Sequence, residues 1–454
     1  MRRLLLLSGL LFLFSFLSVS AENYHYHSIA CPFFTVTDNI SWDELTALLE
    51  SDEDQDGDAD KEIRELWVSS ESAADLTDIL GEYSEKKIAD DAREKIRISE
   101  RGVSCAIIPL DKADPTMKLI QMEKSPFPWD SVYDPFHDVF AVPASDSNFD
   151  RNRVTTVLLT GTSAFARTVA YKMSVNGTLY PAEMIHSVFD ASDITHISNE
   201  AVIWSLCPEP RRDNVSIQLC AGADTPEIFD YLGIDVIELT GNHLRDYDWK
   251  PFSQMLDLFD QKGYAWYGAG RNAEEAAKPL FIEHNGNRFV FLGCNCAGPD
   301  HVYADEKFPG VRHCDFDQME AQIRDYSEKG YLVIVTLQYY EIYSRKPSDM
   351  QARDFRRLSE AGAVVVSGSQ AHYPQIMVPA ADRFIHYGLG NLFFDQMDVP
   401  VKGTRQEFLD RYVFYDGRLL NVQLISALLT DYSRPRLMQP AERESFLKDI
   451  FSYR

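Results

Sequence analysis

Beyond its opening stretch, the 454-residue sequence has no apolar run long enough to cross a bilayer. It does not repeat at any short period, which excludes a solenoid. Positive charge is scarce: 44 Lys and Arg stand against 70 Asp and Glu, for a formal net charge of −26. Such a surface repels nucleic acid and anionic membranes, so no nucleic-acid partner is expected. A polyanionic partner would need a local basic site. Cysteine is also sparse, with seven residues at 31, 105, 207, 220, 294, 296 and 314. None has zinc-knuckle spacing, because Cys294-Asn295-Cys296 lacks the two-residue gap.

The opening stretch has the layout of a secretory signal peptide. Arg2 and Arg3 precede an uncharged run of Leu, Phe and Ser through Val19, and Val19-Ser20-Ala21 supplies small residues for cleavage. Cleavage after Ala21 predicts a mature chain that begins at Glu22, with no membrane span and an extracytoplasmic destination. Cys31 lies too far beyond the run for lipidation. About 430 residues remain, too many for one ordinary core, so two domains are expected. At 45% hydrophobic and 12% aromatic the composition is globular.

Residues 22–61 read as an acidic linker. Its centre, Ser51-Asp52-Glu53-Asp54-Gln55-Asp56-Gly57-Asp58-Ala59-Asp60, supports two readings. Alternating aspartates with Gly57 at the turn resemble a calcium loop over Asp52 to Asp60. The closing position holds Ile63, with Glu62 one place early, and blocks of like charge are usually solvated. Residues 62–150 read as a small α/β domain. It has mixed helical periodicity over 62–83, a charged helical stretch over 88–100 and a buried strand over 103–109. Residues 125–150 read as loop.

From Val154 the texture changes. Apolar, β-branched runs at 154–160, 234–240, 289–294, 332–337 and 363–367 predict strands. Stretches at 226–232, 250–262, 315–329 and 348–361 predict helices between them. That alternation implies sheets covered by helices, over residues 151–399. Residues 400–454 read as a mainly helical extension.

Polar clusters follow the predicted strand ends, where α/β folds place their sites. They are Thr160-Gly161-Thr162-Ser163, Ser198-Asn199-Glu200, Gly241-Asn242-His243-Leu244-Arg245-Asp246, Gln338-Tyr339-Tyr340-Glu341, and Gly368-Ser369-Gln370-Ala371-His372 with Gly388-Leu389-Gly390-Asn391. Oxygen- and imidazole-rich crevices of this kind can hold divalent metals. Asn242 and His243 could equally cap a helix, and Gln338 and Gln370 could be satisfied buried amides. Tyr339 and Tyr340 beside amides would suit a sugar or peptide-like ligand.

In order, the Gly241-Asn242-His243 turn with Asp246, the segment Tyr267-Gly268-Ala269-Gly270-Arg271-Asn272, the strand from Phe289, the turn Gly368 to His372 and the closing Leu389-Gly390-Asn391 resemble the CapA family of poly-γ-glutamate capsule proteins. The similarity covers 154–396. It implies a metallophosphatase-like α/β fold with a layered β-sheet core and flanking helices, and a role in capsule synthesis or export. The resemblance implies Glu200, Asn242 and His372 as metal ligands and His243 with Asp246 as the catalytic acid pair. Gln338, Glu341, Gln370 and Asn391 are expected to line the ligand site.

The departures from the family pattern are specific. Thr162 stands where the family has a metal-binding Asp, and Gln338 and Gln370 stand where it has His. One carboxylate, one imidazole and amides offset a metal pair poorly, so a single weakly held divalent ion (Mn or Zn) is expected at most. The implied activity is therefore either a metal-dependent phosphoesterase-like hydrolase or a non-catalytic protein that binds capsule polymer, sugar or another small molecule. Finally, Cys207 with Cys220 and Cys294 with Cys314 bracket irregular loops. These pairs predict disulfides worth about 3 kcal/mol each, leaving Cys31, Cys105 and Cys296 over.

Overall fold

The computed structural model describes residues 23–50, 61–80, 87–100, 102–123, 139–212 and 216–454. The signal-peptide reading (1–21) and the calcium-loop reading (Asp52 to Asp60) lie outside the described residues.

The larger part is a four-layer helix–sheet–sheet–helix stack, and residue alternation builds it. In the strand Val154–Thr160, Val157 and Leu159 point into the interface between two sheets, whereas Leu158 points to an outer helical layer. In Asn287–Asn295, Phe289 and Phe291 face the same interface while Val290 and Leu292 face the other helical layer. Strands buried on both faces read as continuous apolar runs, which explains their legibility in the sequence. One sheet runs Ala265–Tyr267, Val236–Glu238, Ile194–Asn199, Val154–Thr160, Gln406–Tyr415, Arg418–Thr430, Arg434–Leu437. The other runs Leu280–His284, Asn287–Asn295, Leu332–Gln338, Ala363–Ser369, Phe384–His386, Met377–Pro379. Helices Trp249–Lys262, Phe316–Glu328 and Asp349–Glu360 flank them, close to the predicted bounds.

Five expectations are corrected. Ile63–Ser69, within the helical reading of 62–83, and Val139–Ala144, within the loop reading of 125–150, are both strands of the N-terminal sheet. Residues 400–454 are not mainly helical. Gln406–Tyr415 pairs antiparallel with Val154–Thr160 and completes its sheet, and only Pro440–Phe451 is an α-helix. The charges that disguised this strand are buried. Asp410 binds the His386 imidazole, and Arg411 donates to Val188 O at 3.0 Å. Neither oxygen of Glu407 has a partner among the described residues, and burial pushes its pKa well above the usual carboxylate range. Residues 22–61 are not simply a linker. Asn23–Pro32 is a central strand of the N-terminal sheet, with residues 27–31 buried, and Trp42–Glu50 is a helix. The expected helix over 88–100 is instead two short strands, Ile88–Ala89 and Arg97–Ser99, around a single 3₁₀ turn.

The N-terminal sheet also contains Gly102–Pro109, Met117–Glu123 and Val139–Ala144. Cys31 and Cys105 lie on its neighbouring strands, Cα atoms 4.3 Å apart, and form a disulfide that sequence spacing did not reveal. Cys207–Cys220 and Cys294–Cys314 pair as expected, and Cys296 is free. The N-terminal sheet docks on the larger part. Phe33 packs edge-on against Phe384, and Arg443 holds Asp38 with two hydrogen bonds of 2.6 and 2.9 Å.

Candidate functional site at the strand ends

The crevice depends on backbones that touch. A Cβ on Gly161 would lie 2.2 Å from Gly390 O, and one on Gly241 would lie 2.5 Å from Glu200 Cα. Without side chains there, Thr162 joins Asn391 in a bridge and Ala201 joins His243. These contacts bring the strand-end turns together.

Gln338, the last residue of its strand, occupies the centre. The Ser369 hydroxyl donates to Gln338 Oε1 at 2.8 Å, which turns the Gln338 amide nitrogen toward three oxygens. That nitrogen donates to Glu200 Oε1 and to Asn242 Oδ1, each at 3.1 Å, and contacts Gln370 Oε1 closely. An amide has two protons, so three acceptors oversubscribe it. Glu200 is buried, and its second oxygen, Oε2, finds no hydrogen-bond partner among the described residues. The Gln370 backbone N–H donates to Thr162 Oγ1 at 3.2 Å.

Gln370 and His372 adopt left-handed backbone conformations, with φ of 77° and 50°. Such conformations cost free energy and cluster where function constrains the chain. His372 Nδ1 donates to Asn391 Oδ1 at 2.7 Å, leaving Nε2 as the acceptor nitrogen. Asn391 Nδ2 in turn donates to Gln396 Oε1, and Gln396 donates to the Tyr343 hydroxyl. Tyr343 binds Glu341, which reaches the crevice only through that chain. His243 Nδ1 binds Asp246 Oδ2 at 2.7 Å. Burial acts to lower the His243 pKa, but the Asp246 hydrogen bond and the charges of Glu200 and Asp246 outweigh it and raise the pKa.

The structure therefore joins Glu200, Asn242, Gln338 and Gln370 directly, with Thr162 at their edge. His372–Asn391 and His243–Asp246 are separate hydrogen-bonded pairs, and Glu341 is peripheral. Ser369, Tyr343 and Gln396 were not singled out from the sequence. Ser369 stands beside Gln370 in the same turn, which was a usable signal; Gln396 had none. The residues present do not fit a pair of divalent ions. Among them one carboxylate faces amides, and the Gln338 nitrogen stands where a cation would share the three oxygens.

A helix–sheet–sheet–helix fold with a polar crevice at its strand ends defines the class. The sequence profile described as "Bacterial capsule synthesis protein PGA_cap" matches residues 156–396, and the chain belongs to that family. It is 29% identical over 185 residues to "Capsule biosynthesis protein CapA" of Bacillus anthracis, covering 40% of this chain and 45% of that one. It is 26% identical over 184 residues to "PGA biosynthesis protein CapA" of Bacillus subtilis (strain 168), covering 40% and 48%. The match thus spans less than half the length of either relative. Among solved structures, a 5'-nucleotidase precursor from Thermus thermophilus aligns with a TM-score of 0.38 and 13% identity, over 66% of this chain and 58% of that one. A hypothetical protein from the same organism aligns with a TM-score of 0.36 and 13% identity, over 60% and 98%. Likenesses that distant carry no argument about chemistry.

Proposed function

We propose that this protein acts in the cell envelope, in the synthesis or export of a capsule polymer of the poly-γ-glutamate kind. In this reading its crevice binds an amide-bearing polymer segment or small polar ligand and does not run two-metal hydrolysis. The observation that carries the reading is the Gln338 amide nitrogen, set among Glu200 Oε1, Asn242 Oδ1 and Gln370 Oε1. Amides that bind one another in a buried crevice can exchange those bonds for the amides of a ligand at little net cost. The half-exposed Tyr340, two residues beyond Gln338 in sequence, offers an aromatic surface. Three disulfides suit an oxidising destination and support export.

Glu200 Oε2, which has no partner among the described residues, favours one weakly held Mn or Zn ion as a second reading, with Glu200, Asn242 and His372 as its ligands. Calorimetric titration with γ-linked glutamate oligomers tests the first reading. Binding is expected in the native protein and at least a tenfold loss in Gln338→Leu. Two equivalents of manganese retained through gel filtration, and lost in Glu200→Gln, would overturn it.

A further inference from the structure

Outside the crevice, one cluster has the chemistry of a transition-metal site. His25 and His27 alternate on the strand Asn23–Pro32, so both rings project from one face. Asp75, on the helix Ser70–Leu80, lies across from them. His25 Nδ1 approaches Asp75 Oδ2 at 2.8 Å, and His27 Nε2 approaches the same oxygen at 3.0 Å. One ligand atom from each of the three residues lies within 4.8 Å of the others.

We propose that His25 Nδ1, His27 Nε2 and Asp75 Oδ2 bind a divalent transition metal, with zinc the best match. Two imidazoles and a carboxylate are a borderline donor set that suits zinc better than magnesium or calcium. Ligands about 2.0–2.1 Å from a tetrahedral ion stand about 3.3 Å apart, so the two nitrogen–oxygen spacings of 2.8 and 3.0 Å need to open only slightly. The outer nitrogens are already held. His27 Nδ1 binds the Ser72 hydroxyl at 2.9 Å, and His25 Nε2 binds Asp146 Oδ1 at 3.2 Å. Ser72 accepts in turn from the Ser69 hydroxyl at 2.8 Å. Such outer partners fix ring orientation and tautomer in metal sites. The Ser72 hydroxyl can accept as well as donate, so His27 can carry its proton on Nδ1 and turn the Nε2 lone pair inward.

His27 is 1% exposed, while the side chains of His25 and Asp75 are each 27% exposed. The buried imidazole anchors the site, and the half-open pair gives a metal its way in. Three protein ligands leave a fourth position for water or a ligand atom. The cysteine trio 294, 296 and 314 offers no such site, because Cys294 and Cys314 are bonded to each other.

The test uses the full secreted chain without a histidine tag, titrated with zinc chloride against a competing chelator. One equivalent is expected to bind, with affinity at least a hundredfold weaker in Asp75→Asn and in His25→Gln. Both residues are partly exposed, so the fold should survive, as checked by circular dichroism. Glu200→Gln, in the crevice, should leave this binding unchanged, so the outcome is independent of the proposed function. Zinc-edge X-ray absorption on the unaltered protein should show two imidazoles. No binding, binding unaffected by both substitutions, loss in Glu200→Gln, or fewer than two imidazoles would each overturn the proposal.

Discussion

The two polar clusters of this protein solve opposite problems. In the strand-end crevice, three oxygens converge on an amide nitrogen that cannot satisfy them all. In the N-terminal sheet, two ring nitrogens converge on one carboxylate oxygen. The first lies within the family match, and a side-chain amide nitrogen stands among its oxygens. The second lies outside the family match and has the better donor set for zinc. Metal capacity follows the donors and their outer partners, not the location within a fold.

The largest expected effect would erase that contrast. In Thr162→Asp/Gln338→His/Gln370→His, the crevice should gain about a hundredfold in manganese affinity, about 2.7 kcal/mol. Thr162 is fully buried, so the new carboxylate should destabilise the metal-free protein, and added manganese should raise its Tm. Calorimetry and thermal melts check both; unchanged affinity would show that Gln338 does not stand in a cation's place.

Next in size is the backbone contact under the crevice. Gly241→Ala should cost about 2 kcal/mol in chemical denaturation, because its Cβ would meet Glu200 Cα at 2.5 Å. The N-terminal cluster has no such contact, so its zinc binding should survive this change.

A similar effect concerns His196, buried behind the crevice with its Nε2 2.9 Å from the Tyr267 hydroxyl. Burial pushes its pKa down to about 3 from 6.5. The unfolded chain takes up a proton below about 6.5 that the folded chain refuses. Stability is therefore fully present above that pH and is lost as pH falls toward 3, by about 2 kcal/mol at pH 5. Nearby Glu238, pushed up from 4.5 by burial, contributes the opposite slope, losing stability as pH rises above 4.5. The measure is thus the difference in stability between native protein and His196→Asn at each pH, and the native protein should lose about 2 kcal/mol relative to the variant as pH falls from about 7 to about 5.

The smallest effect separates ligand from support. Asp146 touches only the outer nitrogen of His25 in the zinc cluster and is 80% exposed. Asp146→Asn should weaken zinc tenfold or less, roughly 1 kcal/mol, in the same chelator competition. A loss as large as that of Asp75→Asn would make Asp146 a direct ligand.

The residues that identify this protein act locally. Apolar runs at 154–160, 289–294, 332–337 and 363–367 are strands because burial on both faces leaves no polar alternation to misread. Short loops such as 207–220 and 294–314 made their disulfides legible. Glu200, Asn242, Gln338 and Gln370 were legible as a set because each follows a strand. What the chain could not announce locally depends on partners far along it. The stretch holding Gln406–Tyr415 reads as helical because the His386 imidazole and the Val188 carbonyl, which meet Asp410 and Arg411 inside the sheet, lie outside it along the chain. Cys31 meets Cys105 only through the pairing of Asn23–Pro32 with Gly102–Pro109, 74 residues apart. The same strand sets His25 and His27 opposite Asp75. Periodicity records which face of an element is buried, but register and docking decide which side chains meet there, and those are settled by long-range packing.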